Sequence, residues 1–211
     1  MRNPINEGTL AEAASALTGR EPRFGTVVAL HGLPALRLVE PGLVSLLRIV
    51  TDQLISLKAG EAIWHRIAAR LQEFEPEVIH RCGEDGLMQL GLTRAKARTF
   101  LALADAADQG LFQQLDDLDD TEAAARLTLI SGIGPWTAEI YLLTALGRIN
   151  AWPAGDLALQ VAAGHLLGFD QRPTERQMRE LADRWQPWRS VAARLLWCHY
   201  RGLKGMTQPK T

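Results

Sequence analysis

The sequence predicts an all-α protein, and three observations support that fold class. Apolar residues recur at helical spacing in almost every segment, whereas the alternation typical of β-strands is scarce. Several of these segments begin with a residue that commonly caps a helix N-terminus. A chain of 211 residues with 47% hydrophobic residues is large enough for one domain or for two small lobes.

Capping residues and apolar periodicity place the helices of the first two thirds of the chain. Thr9 and Glu12 are predicted to form a capping box that opens the first helix. Residues 23–42 are punctuated by glycine and proline and are expected to be irregular. Further helices are expected at residues 43–51, at 56–71 with Ser56 as the cap, at 81–97 as two short helices joined at Gly91, at 95–109 and at 121–130.

The last third of the chain carries clearer helix starts. Pro135 is expected in the first turn of a helix that continues to residue 146. Asp156 is a predicted N-cap for residues 157–167. Thr174 and Gln177 form a second predicted capping box, which opens a helix to residue 185, and Pro187 begins a final helix to residue 200.

The overall charge gives no sign of a nucleic-acid-binding protein and counts mildly against one. The chain has 23 Lys and Arg residues against 24 Asp and Glu, a net charge of −1. The charge is uneven, because residues 171–211 contain nine basic and three acidic side chains. A chain with one basic end can still bind an anionic polymer.

The cysteine content and the apolar runs predict a soluble cytoplasmic protein. Cys82 and Cys198 have neither metal-ligand spacing nor the pattern of a disulfide framework. The first residues do not resemble a signal peptide, and no apolar run approaches the ~20 residues that span a bilayer. The five histidines lack H-x-E or HExxH spacing, so a zinc site is not expected.

The stretch Ser131-Gly-Ile-Gly134 lies between two predicted helices. Glycine tolerates positive φ and allows another backbone to approach closely. The N–H groups at the start of the following helix point outward at the positive end of the helix dipole, which favours a phosphate. On these four residues alone, a tight helix–helix turn with a glycine cap is the better interpretation.

The residues on either side of this stretch favour a phosphate-binding hairpin over a plain turn. The run "LTLISGIGPWTAEIYLLTALG" is followed by "WPAGDLALQ", with Asp156 twenty residues after Trp136. Together they resemble the helix-hairpin-helix (HhH-GPD) DNA glycosylase superfamily, and its alkylbase branch of the DNA-3-methyladenine glycosylase II type in particular. The segments "LLRIVTDQLISLKAG", "LGLTRAKA" and "DRWQPWRSVAARLLWCHY" are similar to further elements of that branch.

The resemblance implies a single domain, residues 1–211, with two helical lobes and a cleft between them. One lobe, residues 45–148, would contain the hairpin, and the other would combine residues 1–44 with 149–211. Some bacterial members carry an additional N-terminal β-rich domain, and this chain is too short to include one.

The resemblance makes Asp156 the catalytic residue. A carboxylate at a helix start is often only an N-cap, and without the resemblance that role is the better interpretation. Cleavage of an N-glycosidic bond builds positive charge on the sugar, which a carboxylate stabilises. Trp136 stands where bifunctional glycosylase/lyases have a lysine, so water is the expected nucleophile. With two cysteines, the chain also lacks the four-cysteine iron–sulfur motif of other relatives.

The base pocket implied by the family is lined by Trp136, Ile140 and Trp197. N3- and N7-alkylated purines are cationic, and aromatic rings attract cations. Ile140 stands where the best-known alkylbase enzymes have a tyrosine, and Cys198 also replaces an aromatic residue, so this pocket is expected to be less aromatic. Six tryptophans against two tyrosines are consistent with an aromatic pocket, and core packing is the alternative interpretation for four of them: Trp64, Trp152, Trp185 and Trp188.

Two elements are expected to contact DNA. The resemblance assigns phosphate binding to the hairpin and the following helix, with the residues Ser131, Gly132, Ile133, Gly134 and Thr137. Leu54, next to Gln53, matches the wedge that fills the space of an extruded base. An ordinary buried leucine is an equally weighted alternative for Leu54.

Two minor features have two interpretations each, and a third rests on the resemblance alone. Arg94, Lys96 and Arg98 form a basic strip that either meets phosphate or is a solvated helix face. Arg189 either supports the cleft and the DNA backbone or forms a salt bridge. The family resemblance also suggests a monovalent cation bound by the backbone carbonyls of Thr128, Ile130 and Ile133.

The sequence therefore predicts a monofunctional glycosylase that excises alkylated purines from double-stranded DNA in base excision repair. It is expected to be a cytoplasmic monomer, nucleoid-associated if bacterial, without a cofactor other than that cation. One alternative is a non-catalytic helix-hairpin-helix DNA-binding module. Another is a glycosylase for a neutral lesion such as hypoxanthine or ethenoadenine, for which the sequence shows no clear acid.

Overall fold

A computed structural model describes residues 4–205 of the chain. Within that range the regular elements are twelve α-helices and a short 3-10 turn at Asp183–Trp185. No β-strand occurs in the part of the chain that the structure describes, so the all-α prediction is confirmed. The helices are α1 (Glu7–Arg20), α2 (Arg23–His31), α3 (Leu43–Asp52), α4 (Leu57–Leu71), α5 (Pro76–Gln89), α6 (Arg94–Asp108), α7 (Leu111–Leu115), α8 (Asp120–Thr128), α9 (Pro135–Thr144), α10 (Leu157–Leu167), α11 (Glu175–Ala182) and α12 (Arg189–Leu203).

The chain divides into two compact units. One is Val39–Tyr141, which we call the hairpin unit; the other, the carboxylate unit, consists of residues 4–38 and 142–205. The sequence placed the boundaries a few residues later, at 45 and 148. None of the helices in the described range is both long and apolar enough to span a membrane.

The core of the hairpin unit is built around α6. Phe100 and Leu103 of α6 are fully buried, as are Leu46 of α3 and Leu87 of α5. Burying each such side chain contributes about 1.5–3 kcal/mol. α6 is therefore a central support to which the neighbouring loops can be fixed.

The core of the carboxylate unit is rich in aromatic residues. Trp185 lies 5.3 Å from Phe24 and 5.3 Å from Trp152, measured between ring centroids, in edge-to-face arrangements. Both tryptophans are buried, as expected from the sequence, whereas Trp64 and Trp188 are only half-buried. Arg194 of α12 is also buried and donates hydrogen bonds to the carbonyls of Leu36 and Leu143. Its burial lowers the pKa of Arg194 to about 10.

Several helix starts were predicted correctly because they depend on local spacing. Ser56 caps α4, and Asp156 caps α10. Thr174 forms the predicted capping box of α11 with Gln177. Pro135 occupies the first turn of α9, as expected.

Other predictions for the helices were wrong. Asn6, not Thr9, caps α1, and its side chain accepts a hydrogen bond from the Thr9 backbone N–H. The segment expected to be irregular begins with α2, which forms because Phe24 and Val27 bury one helix face. α7 was not predicted, and α12 begins at residue 189 rather than 187.

Candidate functional site

The hairpin joins α8 to α9 and presents its glycines to solvent. Ser131, Gly132 and Gly134 are exposed, whereas Ile133 is buried and anchors the turn in the core. Gly132 has φ +87°, and a Cβ there would lie 1.8 Å from the Thr99 hydroxyl oxygen. The fold therefore requires glycine at 132.

Gly134 has no such requirement. Its φ lies outside the positive range, and a Cβ built on it would meet no atom within 4 Å. The local structure would accept alanine at this position. A glycine here leaves a bare, exposed stretch of backbone at the start of α9, which is the geometry that a phosphate needs for close approach.

The first turn of α9 supplies N–H groups rather than side chains. The Ala138 N–H donates to the Gly134 carbonyl at 3.1 Å and begins the helical ladder, so Trp136 and Thr137 precede it. The Thr137 side chain is buried, and its hydroxyl accepts a hydrogen bond from Gln53 Nε2 at 2.8 Å. Any contact of Thr137 with DNA would therefore be made by its backbone.

The predicted wedge lies in the loop between α3 and α4. Leu54 has φ +56° and a relative exposure of 105%, which excludes the alternative of a buried core leucine. Ile55 and Leu57 are also exposed. The loop thus presents an apolar tip to solvent in a backbone conformation that leucine rarely adopts.

The loop is held by residues that the sequence had assigned differently. Lys96 Nζ donates to the carbonyls of Thr51 and Gln53, at 2.8 and 2.7 Å. Burial lowers the pKa of Lys96, and the charge of Asp52 opposes that shift. The exposed basic strip is therefore not formed as expected, because Lys96 is turned toward the end of α3.

The other two members of that strip are paired with one acidic side chain. Arg94 Nη1 lies 3.3 Å from Glu84 Oε1, and Arg98 Nε lies 3.0 Å from Glu84 Oε2. Both arginines remain exposed, as on a solvated helix face. Only Lys96 among the three is engaged with backbone carbonyls in the described structure.

The candidate catalytic carboxylate lies at the start of α10 in the carboxylate unit. Asp156 is half-buried, and its Oδ1 accepts hydrogen bonds from the Leu159 backbone N–H at 2.9 Å and from Trp197 Nε1 at 3.1 Å. Asp156 is thus an N-cap, but capping is not its only interaction. Two N–H donors on one oxygen fix the side chain in a single orientation, which suits electrostatic stabilisation of a developing cation.

Trp197 makes a contact that the sequence did not indicate. Its indole N–H donates to Asp156, and its predicted place in the base pocket stays a prediction. The two residues are 41 positions apart, so no local spacing signals the contact. Trp136 and Ile140 are half-buried residues of the hairpin unit, and their assignment to the pocket stays a prediction.

Tyr141 does not replace the aromatic residue missing at Ile140. It is fully buried, and its hydroxyl accepts a hydrogen bond from the Gly42 N–H at 2.8 Å. Burial raises the pKa of Tyr141 to about 12. Its side chain is therefore committed to the core of the hairpin unit.

The remaining minor predictions have different outcomes. Arg189 forms the salt bridge, with its Nη2 at 2.6 Å from Asp183 Oδ1. The Ile130 carbonyl accepts a hydrogen bond from the Ile133 N–H at 3.0 Å, and the predicted cation at Thr128, Ile130 and Ile133 stays a prediction. Among residues 4–205, no group of three or more His, Cys, Asp or Glu side chains is arranged to hold a metal ion.

Comparisons with known proteins identify the family of the chain. Residues 47–187 match the model of a family described as HhH-GPD superfamily base excision DNA repair protein. DNA-3-methyladenine glycosylase 1 of Schizosaccharomyces pombe is 30% identical over 158 residues, which cover 72% of this chain and 69% of that protein. DNA-3-methyladenine glycosylase 2 of Escherichia coli is 30% identical over 181 residues, covering 78% of this chain and 60% of that protein.

A solved structure is similar over most of the chain. The S. pombe 3-methyladenine DNA glycosylase in complex with abasic DNA aligns with a TM-score of 0.82 and 25% identity, covering 94% of this chain and 100% of that one. The family match includes the loop between α3 and α4 that carries Leu54 (the wedge loop), the hairpin and Asp156. Trp197 lies beyond its end.

Proposed function

The chain belongs to the HhH-GPD superfamily of base excision DNA repair proteins, and we propose that it is a monofunctional DNA glycosylase for alkylated purines. It would hydrolyse the N-glycosidic bond of bases of the 3-methyladenine and 7-methylguanine type and leave an abasic site. The observation that carries the proposal is the fixed carboxylate of Asp156, held by Leu159 and Trp197. A DNA-binding module without catalysis would not need this arrangement.

The chemistry follows from the charge that develops at the sugar. As the bond between base and sugar breaks, positive charge builds up on the sugar ring. A carboxylate held in place by the protein stabilises that charge without reorganising during the reaction. The base leaves with the electron pair of the broken bond; water then adds to the sugar carbon and releases one proton to solvent, so that a hydroxyl group replaces the base.

Alkylated purines suit a site that offers a carboxylate but no evident acid. N3 or N7 methylation gives the base a positive charge, so it leaves as a neutral molecule and needs little protonation. Trp136 and Trp197 are the aromatic residues that we assign to the base, because a cation over an indole ring gains up to about 2 kcal/mol when desolvated. For Trp197 this role would be additional to its hydrogen bond with Asp156.

The absence of lyase activity is part of the proposal. A lyase needs a free amine that attacks the sugar carbon, and the position that matches the family's lysine is Trp136. Lys96, a lysine of the same unit, already donates to two backbone carbonyls. Water is therefore the nucleophile that we assign.

We assign DNA binding to the hairpin unit and the chemistry to the carboxylate unit. The hairpin and the first turn of α9 would bind a phosphate through N–H groups, which makes binding possible at a net charge of −1. Leu54 would occupy the space left by the extruded nucleotide. The protein would act as a monomer. In a bacterium it would act in the cytoplasm, where the DNA is.

The experiment that tests this function uses methylated duplex DNA. We expect the purified protein to release free 3-methyladenine and 7-methylguanine, identified by chromatography, while the strand stays intact until alkali cleaves the abasic site. Release of both bases with spontaneous strand cleavage would contradict the monofunctional assignment. Tight duplex binding with no released base would favour the DNA-binding module.

A further inference from the structure

One helix of the hairpin unit contacts both of the elements assigned to DNA. We propose that Lys96 of α6 is a positioning residue that holds the Leu54 loop in the conformation needed for insertion into the duplex. This inference rests on the proposed function, because it assumes that Leu54 enters DNA. It assigns to Lys96 a role through Leu54 and not through contact with phosphate.

Leu54 needs external support. A left-handed backbone costs a leucine about 1–2 kcal/mol relative to ordinary conformations, and Leu54 has φ +56°. With a relative exposure of 105%, its side chain has no packing contacts that could offset that cost. The conformation must therefore be stabilised by the residues on either side of Leu54 in the loop.

Lys96 supplies that support at the end of α3. Its ammonium group donates to the carbonyl of Thr51 in the last turn of α3 and to the carbonyl of Gln53, which immediately precedes Leu54. Positive charge is favourable at the negative end of a helix dipole, and charge-assisted hydrogen bonds are stronger than neutral ones. The nearby charge of Asp52 stabilises the ammonium form in spite of its partial burial.

Gln53 is fixed at two points. Its carbonyl accepts from Lys96, and its side-chain Nε2 donates to the Thr137 hydroxyl on α9 at 2.8 Å. The loop residue next to Leu54 is thus connected to α6 and to the helix that follows the hairpin. The loop is a braced element rather than a free one.

The same helix also contacts the hairpin. Thr99 lies three residues after Lys96 on α6, and its hydroxyl occupies the space where Gly132 would carry a Cβ. That hydroxyl donates to the Ala95 carbonyl at 3.0 Å and is itself held in place. α6 therefore fixes the wedge loop and the phosphate-binding turn to one rigid support within the hairpin unit.

The test compares Lys96→Met with Arg98→Met. Both substitutions remove one positive charge from α6, but Arg98 is exposed and paired with Glu84. The substrates are a duplex with 7-methylguanine opposite cytosine and a duplex with the same lesion opposite an abasic analogue, where extrusion costs less. Rates are measured in single turnover, and thermal unfolding is followed for each variant.

A positioning role predicts a pattern that a general loss of stability would not give. K96M should slow excision opposite cytosine by about tenfold or more, because charged hydrogen bonds to the loop are lost, and should slow excision opposite the abasic analogue much less. R98M should match the wild type on both substrates. In a Leu54→Ala background, K96M should cause no further loss, because its effect depends on Leu54.

Several results would overturn the inference. Equal slowing on both duplexes, an additive loss in the Leu54→Ala background, or an equal effect of R98M would each show that Lys96 does not act through Leu54. If K96M is unfolded at the assay temperature, Lys96→Arg, which retains the charge, is measured instead and should show a smaller loss with the same substrate pattern. A wild-type protein that releases no base from either duplex would contradict the proposed function itself.

Discussion

Leu54 and Asp156 lie next to helix ends in different units, and they are held in opposite ways. Leu54 follows α3, is fully exposed, and adjoins Gln53, whose carbonyl accepts a hydrogen bond from Lys96. Asp156 precedes α10 and is held by hydrogen bonds to its own carboxylate. An exposed apolar side chain forms no hydrogen bonds that could orient it. A carboxylate accepts hydrogen bonds from N–H donors, which orient it directly. Mutations in the two units should therefore affect different steps of the reaction.

Replacement of the carboxylate should have the largest effect. In Asp156→Asn the amide oxygen can still accept from Leu159 and Trp197, and asparagine caps helices as well as aspartate does, so the fold should be retained. The loss of negative charge should slow excision by at least about a hundredfold. Single-turnover excision and the affinity for a duplex with a stable abasic analogue measure the two effects separately. Wild-type turnover in this variant would end the catalytic assignment.

Substitutions of the two hairpin glycines should affect different properties, stability in one case and DNA binding in the other. Gly134→Ala should leave the melting temperature unchanged, because its Cβ meets no atom, yet weaken duplex binding by about tenfold as the methyl group obstructs a phosphate. Gly132→Ala should destabilise the protein by more than about 1 kcal/mol, because alanine disfavours φ +87° and its Cβ would collide with Thr99. Calorimetry and fluorescence anisotropy on the same preparations measure both effects. Normal binding by Gly134→Ala would argue against phosphate contact at this turn.

Removal of the indole donor should have a smaller effect on catalysis. Trp197→Phe keeps an aromatic ring but loses the hydrogen bond to Asp156, so excision should slow by about fivefold, the equivalent of roughly 1 kcal/mol. Binding to the abasic analogue should be unaffected. Trp188→Phe is the matched control, because Trp188 lies at the start of the same helix α12. Equal losses in the two variants would mean that aromatic packing, and not the hydrogen bond, matters.

The smallest effect concerns stability and pH. Burial, followed by the neighbouring His165 and His31, lowers the pKa of His199, whose Nε2 lies 3.0 Å from His165 Nδ1. The unfolded chain then binds more protons than the folded protein as the pH falls below 6.5, so the free energy of unfolding should decrease there. In His199→Gln the free energy of unfolding should decrease less between pH 7.5 and about pH 5. If the free energy of unfolding, measured by urea denaturation, falls equally with pH in the variant and the wild type, His199 does not contribute.

Local spacing was sufficient for most helix starts and for the position of Asp156. The caps at Ser56 and Thr174 depend on residues three positions apart, which the sequence displays directly. The same rule produced an error at Thr9, because Asn6 lies three residues before it and takes the capping role. Helix starts are therefore predictable, but the choice between two capping residues three positions apart is not.

Contacts between distant residues were not predictable. Trp197 reaches Asp156 over 41 positions, and Lys96 reaches Gln53 over 43. A lysine between two arginines suggests an exposed basic strip, and only packing distinguishes the lysine from its neighbours. The sequence thus identified the groups expected to act, but not the contacts that hold them in place.

The lack of any neighbour near the Cβ position of Gly134 has an evolutionary consequence. Selection for a folded chain alone would let this site drift to alanine or serine. If glycine persists there in descendants that are exposed to methylating agents, selection for DNA binding, and not for folding, retains it.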